Sequence, residues 1–335
     1  MNIIIPMAGQ GKRMRPHTLT TPKPLIPIAG KSIVQRLVED IVHTTKEKIE
    51  HIAFIIHPSF SKDAETMLLN IATAMGATGH ITYQEEPKGT AHAILCAADF
   101  LEGNVLVAFA DTLFDARFEI DTQKDAIIWT QRLDNPEQFG VVVLDEAGKI
   151  IRFEEKPQTF VSDLAIIGVY YFKDGKNLQQ ELQFLLDNNI QTKGEYQLTD
   201  AMENMRQKGK EFFTDIVNEW LDCGNKDATV QTNQRILVLK SGKEELIDAS
   251  AKIENTTIIP PVFIGPGAEL KNAVIGPYTS IEAGCKIENA IIENSIVCAN
   301  TQVQAVVLTQ SLIGREVNLA GQKRALSLGD FSTEA

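Results

Sequence analysis

Over the first 240 residues, hydrophobic and polar positions follow two patterns. Short runs that are apolar throughout predict buried strands, and hydrophobic residues three and four apart predict helices. The predicted strands are 2–6, 52–56, 81–84 and 105–110, and the predicted helices are 32–42, 60–72 and 90–100. Ser32 stands three residues before Gln35, the spacing of a capping box at a helix start. The alternation of strands and helices predicts an α/β domain with a largely parallel sheet.

From about residue 125 the strands follow one another over short connections. The predicted strands are 126–132, 140–144, 150–154 and 166–172, and helices return at 178–188 and 198–208. The turn Glu146–Gly148 joins two of these strands as a hairpin, because glycine permits a tight bend. We therefore expect a Rossmann-like sheet that is mixed, with an antiparallel extension.

After residue 245 the helical pattern ends, and aliphatic residues recur at short, regular intervals between 263 and 314. Asn272–Ile275 is repeated as Asn289–Ile292, a shift of 17 residues. Hexad periodicity with aliphatic side chains turned inward is typical of a parallel β-helix, whose coils bury their apolar faces on one another. The sequence thus predicts a short left-handed β-helix, with a short β-sandwich as the alternative. The predicted domains are 1–240 and 241–335, and the last dozen residues are expected to form a tail or cap.

The net negative charge of the chain argues against nucleic acids and anionic membranes as partners. Lys and Arg number 32 and Asp and Glu number 44, which gives a net charge of −12, whereas nucleic acids and anionic membranes are bound by basic surfaces. No apolar run approaches the roughly 18 residues of a membrane span, and no signal peptide is visible at the N-terminus. The four cysteines form no metal or redox spacing. We expect a protein of the reducing cytoplasm that binds neither nucleic acid nor membrane.

A glycine-rich turn follows the first predicted strand. Gly9 and Gly11 let the backbone bend tightly with its N–H groups toward an anion, and Arg13 and Arg15 add positive charge beside them. In the segment 22–24, two prolines hold a lysine in an extended backbone, and a rigidly held ammonium group is a good phosphate ligand. A solvated basic turn is the alternative interpretation, since the motif is neither a Walker phosphate loop nor a complete dinucleotide fingerprint.

Together, the glycine-rich turn and the Pro-Lys-Pro-Leu segment resemble the signature of the sugar-1-phosphate nucleotidyltransferases, in particular the glucose-1-phosphate thymidylyltransferases and uridylyltransferases. The resemblance extends over residues 1–240. It implies a nucleoside triphosphate and a sugar-1-phosphate as substrates and Mg²⁺ as cofactor. The residues that it assigns to the nucleotide are Ala8, Gly9, Gly11, Arg13, Gln84, Gly89 and Thr90. Lys12 departs from the pattern, because many members carry Thr at this position.

The resemblance also implies a metal site and a sugar site. Asp111, which follows the buried run 105–110, and Asp222 match carboxylates that hold Mg²⁺. The residues assigned to the sugar phosphate are Gly140, Glu155, Lys156, Gly168 and Glu195. Gln84 offers a donor and an acceptor to a pyrimidine base. Taken singly, each position also fits a plainer role as a turn, capping or solvated residue.

The implied reaction is nucleotidyl transfer by positioning and charge neutralisation, with Arg13, Lys23 and Lys156 on the phosphates. The favoured substrates are dTTP or UTP and glucose-1-phosphate. Alternatives are a GTP-dependent mannose-1-phosphate guanylyltransferase and a non-catalytic regulatory subunit that binds a nucleotide sugar. A β-helix acyltransferase would need a histidine base, and the last histidine is His92. We therefore expect the β-helix to serve assembly or regulation and the chain to form a homo-oligomer.

Overall fold

The computed structural model describes residues 1–45, 47–115 and 120–322, and the chain divides into two compact units. The first unit comprises residues 1–26 and 31–228, and the second comprises residues 27–30 and the chain from Thr229 onward. The strands up to residue 222 are β1 (Asn2–Pro6), β2 (Pro27–Ile28), β3 (Lys31–Ser32), β4 (His51–Ile56), β5 (Thr78–Tyr83), β6 (Val105–Ala108), β7 (Thr112–Asp115), β8 (Ala126–Arg132), β9 (Gly140–Leu144), β10 (Ile150–Glu155), β11 (Leu164–Phe172), β12 (Phe212–Ile216) and β13 (Glu219–Asp222). The α-helices are α1 (Ile33–Thr44), α2 (Lys62–Ala74), α3 (Thr90–Leu95), α4 (Gly175–Asp187), α5 (Leu198–Gln207) and α6 (Lys226–Lys240).

The first unit is built on a mixed sheet. Its strand order is β10-β9-β11-β6-β1-β4-β5, and β8 pairs with β11 and β12. The four strands β6, β1, β4 and β5 run parallel, whereas β11 pairs antiparallel with β6, β8 and β9. This confirms the predicted α/β class and the antiparallel extension of a Rossmann-like sheet. Within the described residues, no helix is long and apolar enough to cross a membrane.

Local sequence features set the boundaries of several elements. The hydroxyl of Ser32 accepts a hydrogen bond from the backbone N–H of Gln35 at 3.2 Å, so α1 begins where the capping pattern predicts. The hairpin between β9 and β10 closes with Asp145 N–H donating to the carbonyl of Lys149 at 2.9 Å. Gly148 takes φ 79° there, a conformation that glycine adopts without steric cost. The predicted hairpin is confirmed.

The main core of the first unit lies where α3, α4 and α5 cover one face of the sheet. Leu178, Leu182 and Leu185 follow one another at helical spacing on α4 and are at most 1% exposed. They pack with Val105 and Val107 of β6, which are fully buried. Burial of each such aliphatic side chain contributes about 1.5–3 kcal/mol. The strand that precedes Asp111 is thereby anchored in the core.

Three parallel sheets make up most of the second unit. Their strands are β14 (Lys252–Glu254), β15 (Thr257–Ile258), β16 (Val262–Ile264), β17 (Glu269–Lys271), β18 (Val274–Ile275), β19 (Thr279–Ile281), β20 (Lys286–Glu288), β21 (Ile291–Ile292), β22 (Ile296–Val297), β23 (Gln302–Gln304), β24 (Val307–Leu308), β25 (Leu312–Ile313) and β26 (Asn318–Ala320). The sheets are β14-β17-β20-β23-β26, β15-β18-β21-β24 and β16-β19-β22-β25. Parallel strands of successive coils stacked in three sheets are consistent with the predicted left-handed β-helix.

The repeat length agrees with the sequence pattern. Successive paired residues in the first of these sheets lie 17, 17, 16 and 16 positions apart, in the series Lys252, Glu269, Lys286, Gln302 and Asn318. Asn272 and Asn289 occupy equivalent corners with φ 50° and 52°, a left-handed conformation that asparagine tolerates better than most residues. The predicted 17-residue repeat therefore corresponds to one coil.

A short segment from the beginning of the chain, Pro27–Gly30, belongs to the second unit. The side chain of Asn233 on α6 is fully buried, and its Oδ1 accepts a hydrogen bond from the N–H of Ala29 at 2.9 Å. Gly30 takes φ 86°, and a Cβ at this position would lie 2.3 Å from the ring of Phe263. The close approach of this ring requires glycine at position 30.

Two local predictions are wrong. The helix predicted over 90–100 ends at Leu95, and a separate 3₁₀ turn covers Ala98–Phe100. Ala97 between them leaves the helical conformation (φ −108°, ψ 32°) while it stays buried, so the hydrophobic spacing continues through the break. The expected extended backbone at Lys23 is also wrong.

Lys23–Leu25 forms a 3₁₀ turn, in which the N–H of Ile26 donates to the carbonyl of Lys23 at 3.1 Å. Hydrogen bonds of this turn outweigh the extended preference of a residue that precedes proline. The predicted tail lies beyond Gln322, outside the described residues.

Candidate functional site

The strand order of the first unit places a crevice between β1 and β6. The chain passes from β1 through α1 to β4 on one side, continues to β5, and then returns to β6 on the other side of β1. In open α/β sheets, ligands bind beyond the carboxyl ends of the strands at such a switch point. The glycine-rich turn follows β1, and Asp111 comes shortly after β6.

The glycine-rich turn packs closely against the segment that carries Lys23. Gly11 takes φ 57°, and a Cβ added there would lie 3.1 Å from both Lys23 Cβ and Thr18 Cγ2. The hydroxyl of Thr18 donates to the carbonyl of Gly11 at 2.8 Å. In the same turn Ala8 is partly exposed, and among the described residues no atom lies within 4 Å of a Cβ built on Gly9. The turn is therefore open on one side and braced on the other.

Lys23 and Asp111 form an ion pair at this edge of the sheet. Lys23 Nζ lies 2.8 Å from Asp111 Oδ2, and the lysine side chain is only 12% exposed. Asp222 is brought beside them by the two-stranded sheet of β7 and β13, in which Asp222 pairs opposite Thr112. The N–H of Cys223 donates to the carbonyl of Asp111 at 3.1 Å and closes this pairing. The backbone thus fixes the spacing of the two aspartates.

The side chains of Arg13 and Asp222 both lie next to Gly224. A Cβ on Gly224 would lie 2.9 Å from Asp222 Oδ2 and 3.2 Å from Arg13 Nη2. The N–H of Gly224 donates to Asp222 Oδ1 at 3.0 Å. Glycine at position 224 therefore leaves room for the guanidinium group and the carboxylate to lie close to each other. We call Arg13, Lys23, Asp111 and Asp222 the charged cluster.

Burial raises the pKa of Asp222 above its ordinary value, and the negative charge of Asp111 raises it further. Lys23, the Gly224 N–H and Arg13 act in the opposite direction. Two carboxylates held this way favour a divalent cation, because a cation removes their repulsion. In the described part of the chain, no group of three or more His, Cys, Asp or Glu side chains is arranged for a metal. A pair of carboxylates fits Mg²⁺, which usually takes its remaining ligands from water and substrate phosphates.

The segment assigned to the nucleobase begins at the end of β5. The side chain of Gln84 is buried, and its Nε2 donates to the carbonyl of Gly89 at 3.2 Å. Gly89 takes φ 110°, and a Cβ there would lie 2.4 Å from the carbonyl oxygen of Tyr196. The close approach that this glycine permits is therefore to the backbone of Tyr196. Thr90 donates its hydroxyl hydrogen to Gln197 Oε1 at 3.0 Å.

The residues assigned to the sugar gather at the ends of β9 and β10. Glu155 pairs opposite Gly140, and a Cβ on Gly140 would lie 3.1 Å from Glu155 Oε2. The same carboxylate oxygen accepts from the hydroxyl of Thr199 at 2.7 Å. Lys156 Nζ lies 3.4 Å from Glu155 Oε1, and the lysine side chain is 47% exposed. A buried carboxylate beside an exposed ammonium group suits a ligand with both hydroxyls and a phosphate.

Gly168 and Glu195 are the two remaining residues that the resemblance assigns to the sugar. Gly168, with φ 87°, occupies an irregularity of β11, and a Cβ there would lie 3.6 Å from Thr112 Oγ1. Glu195 is exposed and accepts from Gln197 Nε2 at 3.0 Å. Gln197 in turn contacts Thr90, so Glu195 lies nearer to the base segment than to Glu155 in the hydrogen-bond network. These contacts place the predicted residues in three groups, which are the charged cluster, the base segment and the sugar side.

Four further residues near these groups were not singled out by sequence reasoning. Tyr170 is buried, and burial together with the negative charges of Glu155 and Asp111 raises the pKa of its hydroxyl. Both carboxylates therefore lie within electrostatic reach of this hydroxyl. Thr199, Thr112 and Trp220 also contribute, with Trp220 Nε1 3.4 Å from Thr112 Oγ1. Tyr170 and Trp220 stand two residues from Gly168 and Asp222, and this proximity was the signal available in the sequence.

Comparison with known proteins agrees with this architecture. A family model described as nucleotidyl transferase matches residues 2–238. The bifunctional protein GlmU of Methanococcus maripaludis is 32% identical over 264 residues, which cover 77% of this chain and 59% of that protein. The glucose-1-phosphate thymidylyltransferase of Streptomyces griseus is 26% identical over an alignment of 359 positions with gaps included, which covers 99% of this chain and 98% of that protein.

A solved structure shares the fold. The crystal structure of a putative glucose-1-phosphate thymidylyltransferase from Bacillus anthracis, in complex with sucrose, has a TM-score of 0.56 and 24% identity. The match covers 69% of this chain and 93% of that chain. This chain spans about three fifths of the length of the GlmU proteins that it matches.

Proposed function

This chain belongs to the nucleotidyl transferase family, and from that premise we propose that it transfers a nucleotidyl group from a nucleoside triphosphate to a sugar-1-phosphate. The products are a nucleoside diphosphate sugar and pyrophosphate. The favoured nucleotides are dTTP and UTP, and the favoured sugar is glucose-1-phosphate. The observation that supports the proposal best is the convergence of Arg13, Lys23, Asp111 and Asp222 at the switch point of the sheet.

The net charge of the cluster argues for a metal-bound substrate. Arg13 and Lys23 carry two positive charges, and ionised Asp111 and Asp222 carry two negative charges, so the four side chains neutralise one another. A bare triphosphate would gain little from such a site. We therefore propose that Asp111 and Asp222 hold Mg²⁺, which supplies charge neutralisation and polarisation of the phosphate oxygens when it is bound.

The chain itself supplies positioning and fixed charge. A phosphate oxygen of the sugar-1-phosphate forms a bond to the α-phosphorus, and the bond from that phosphorus to the β-phosphate oxygen breaks. No general base is required, because a phosphate monoester is already anionic at neutral pH. Arg13 stabilises the β- and γ-phosphates and the departing pyrophosphate, and Lys23 stabilises the region of the α-phosphate. The buried position of Lys23 favours one orientation of its ammonium group.

The sugar phosphate is held by the second group of residues. Lys156 holds the attacking phosphate, and Glu155 accepts hydrogen bonds from sugar hydroxyls while Thr199 fixes its orientation. Gly140 leaves space beside this carboxylate. The backbone at Gly168 completes the proposed sugar site, and Glu195 is proposed to reach the sugar from the side of the base segment, where it contacts Gln197.

Substrate choice is the finer part of the proposal. The thymidylyltransferase of Streptomyces griseus aligns over nearly the full length of both chains, which supports dTTP and glucose-1-phosphate. The GlmU proteins carry a different name and align over a smaller share of their length. Gln84 suits the imide edge of thymine and uracil alike. Both nucleotides therefore stay within the proposal.

The test is a matrix of dTTP, UTP, GTP, CTP and ATP against the 1-phosphates of glucose, mannose, galactose and N-acetylglucosamine. Pyrophosphate release is measured with Mg²⁺ and again with excess EDTA. We expect the highest activity with dTTP or UTP, and none with EDTA. The Asp111→Asn variant is the control that shows how much of the pyrophosphate release comes from contaminating enzymes. Absence of release for every pair would contradict the proposal and would favour a non-catalytic nucleotide-sugar-binding role, and a maximum with GTP and mannose-1-phosphate would identify a guanylyltransferase.

A further inference from the structure

The amide group of Gln84 is held by two hydrogen bonds from the same nitrogen. Nε2 lies 3.2 Å from the carbonyl oxygen of Gly89 and 3.1 Å from Nδ1 of His92. The side chain is 7% exposed, and the backbone N–H of Gln84 donates to the carbonyl of Ile56 at 2.9 Å. Both ends of this residue are therefore fixed within the protein.

The chemistry of the two partners determines which way the amide group points. The Gly89 carbonyl can only accept a hydrogen bond, so the nitrogen of the amide must face it. His92 Nδ1 can accept the second amide hydrogen only when the imidazole is neutral and carries its proton on Nε2. Burial lowers the pKa of His92, and the positive charge of Lys88 lowers it further, whereas Glu86 opposes this shift. The surroundings of His92 therefore favour the neutral imidazole over the imidazolium.

This arrangement leaves one atom of the amide for a ligand. Both hydrogens of Nε2 are used within the protein, while Oε1 receives no hydrogen bond from the described residues. An isolated glutamine can offer either a donor or an acceptor after a rotation of its amide group. Here the rotation would place Oε1 against the Gly89 carbonyl oxygen, which leaves two acceptors unpaired, and it would require the proton of His92 to move from Nε2 to Nδ1. Gln84 consequently presents an acceptor.

We propose that His92 is a positioning residue for base selection, which locks Gln84 so that it accepts a hydrogen bond from a nucleobase N–H. The inference rests on the proposed function and deepens it. Uracil and thymine carry a donor at N3, whereas cytosine carries an acceptor there. An acceptor facing an acceptor leaves both groups unpaired, which is the strongest form of hydrogen-bond discrimination.

The test compares UTP with CTP, which have the same sugar and ring size. His92→Leu removes the acceptor at similar volume, and His92→Asn keeps one, because asparagine Oδ1 can take the place of Nδ1. We expect His92→Leu to lower the UTP/CTP ratio of kcat/KM by about fivefold and His92→Asn to keep it near the wild-type value. His43→Leu, at an exposed histidine of α1, is the matched control and should leave the ratio unchanged.

The UTP/CTP ratio measured at several pH values distinguishes a role of His92 in hydrogen bonding to Gln84 from a role in packing. Protonated His92 donates through Nδ1 and repels the amide nitrogen, so the wild-type ratio should fall as pH decreases from about 8 to about 5.5. The ratio of His92→Asn should stay flat over this range. The charged groups that face His92 are Lys88 and Glu86. An equal loss of activity toward both nucleotides in both His92 variants would show a structural role and overturn the inference.

Direct measurements of nucleotide binding test the role of His92 separately from the proposed transfer reaction. Dissociation constants of UTP and CTP are measured by titration calorimetry for the wild type and His92→Leu. If no pair of substrates releases pyrophosphate, the proposed function fails while the two constants still report on base selection. Equal affinities for UTP and CTP in the wild type, or an unchanged ratio in His92→Leu, would overturn the role of His92.

Discussion

Four charged side chains of opposite sign share a small volume beyond β1 and β6, and their arrangement favours ligand binding over stability. Lys23 pairs with Asp111 at 2.8 Å, while Asp222 keeps a raised pKa because burial and the neighbouring carboxylate disfavour its charge. Perturbed carboxylates in a crevice are characteristic of functional sites. The residues of this cluster should therefore affect turnover and stability in opposite directions.

Arg13→Ala and Asp111→Asn test the assignment of turnover to the charged cluster. Each should lower kcat by about 100-fold or more with a smaller change in KM, because stabilisation of transition-state charge is lost. Arg15→Ala, which removes an exposed arginine two residues away, is the control. Steady-state pyrophosphate release gives both constants. Near-normal turnover of the first two variants, or equal losses in all three, would contradict the assignment.

Asp222→Asn should stabilise the metal-free protein while it abolishes activity. Asparagine keeps an acceptor for the Gly224 N–H and removes a buried negative charge beside Asp111. Because the folded-state pKa of Asp222 is raised, its ionisation lowers stability as pH rises through that pKa. The gain should therefore be present at pH 7 and should disappear below about pH 4, the ordinary pKa of an aspartate side chain.

The measurement is urea unfolding with EDTA at both pH values, with Asp134→Asn as an exposed control. Equal stabilities of Asp222→Asn and the wild type at pH 7 would show that the carboxylate is not penalised in the folded state.

At the scale of elements, the sequence predicts what depends on local pattern. The capped start of α1 and the β9–β10 hairpin follow from spacing within a few residues, and the coils of the β-helix follow from the repeat of 17 residues. The strands β7, β12 and β13 were missed, because short strands are stabilised by partners distant in the chain. For the same reason the sequence could not show which residue fills the space at Gly89. The residues of the sequence motifs could be predicted as site residues, whereas the contribution of Tyr170 and Thr199 became apparent only from the folded structure.

Gly89→Ala should disrupt the junction between α3 and the segment at Tyr196. Its Cβ would lie 2.4 Å from the Tyr196 carbonyl oxygen, which accepts from the N–H of Ala91 at 2.9 Å. We expect destabilisation of about 2–3 kcal/mol and a higher KM for the nucleotide. Gly103→Ala is the control, since Gly103 also has a positive φ of 59° but no described atom lies within 4 Å of its Cβ position. Equal unfolding free energies of the two variants would exclude the steric contribution.

At the scale of the whole molecule, one sheet of the β-helix carries a row of aliphatic residues on its outer face. Val274, Ile291 and Val307 are aligned on neighbouring strands of one of its sheets, and the latter two are 46% and 73% exposed. Contiguous exposed aliphatic residues can mark a site of protein association. This row supports the expectation that copies of this chain associate.

Size-exclusion chromatography with light scattering should show a mass above the 37.0 kDa of one chain. The double variant Ile291→Lys and Val307→Lys should shift this mass toward the monomer, because charged side chains would be buried in the contact. Gln302→Lys, on a different sheet of the β-helix, should leave the mass unchanged. A monomeric wild type would contradict the expectation, and an unchanged double variant would exclude this row as the contact.

The membership of Pro27–Gly30 in the second unit limits how the protein can be dissected. Ala29 hydrogen bonds to Asn233, and Gly30 fits under Phe263, so these partners are lost if the chain is terminated after Ala228. Ending the gene there would leave an internal loop with an unsatisfied N–H and an uncovered apolar face, only a few residues after Lys23. A shortened chain for crystallography would therefore need to retain α6 and the first coils, or carry a redesigned loop at these positions.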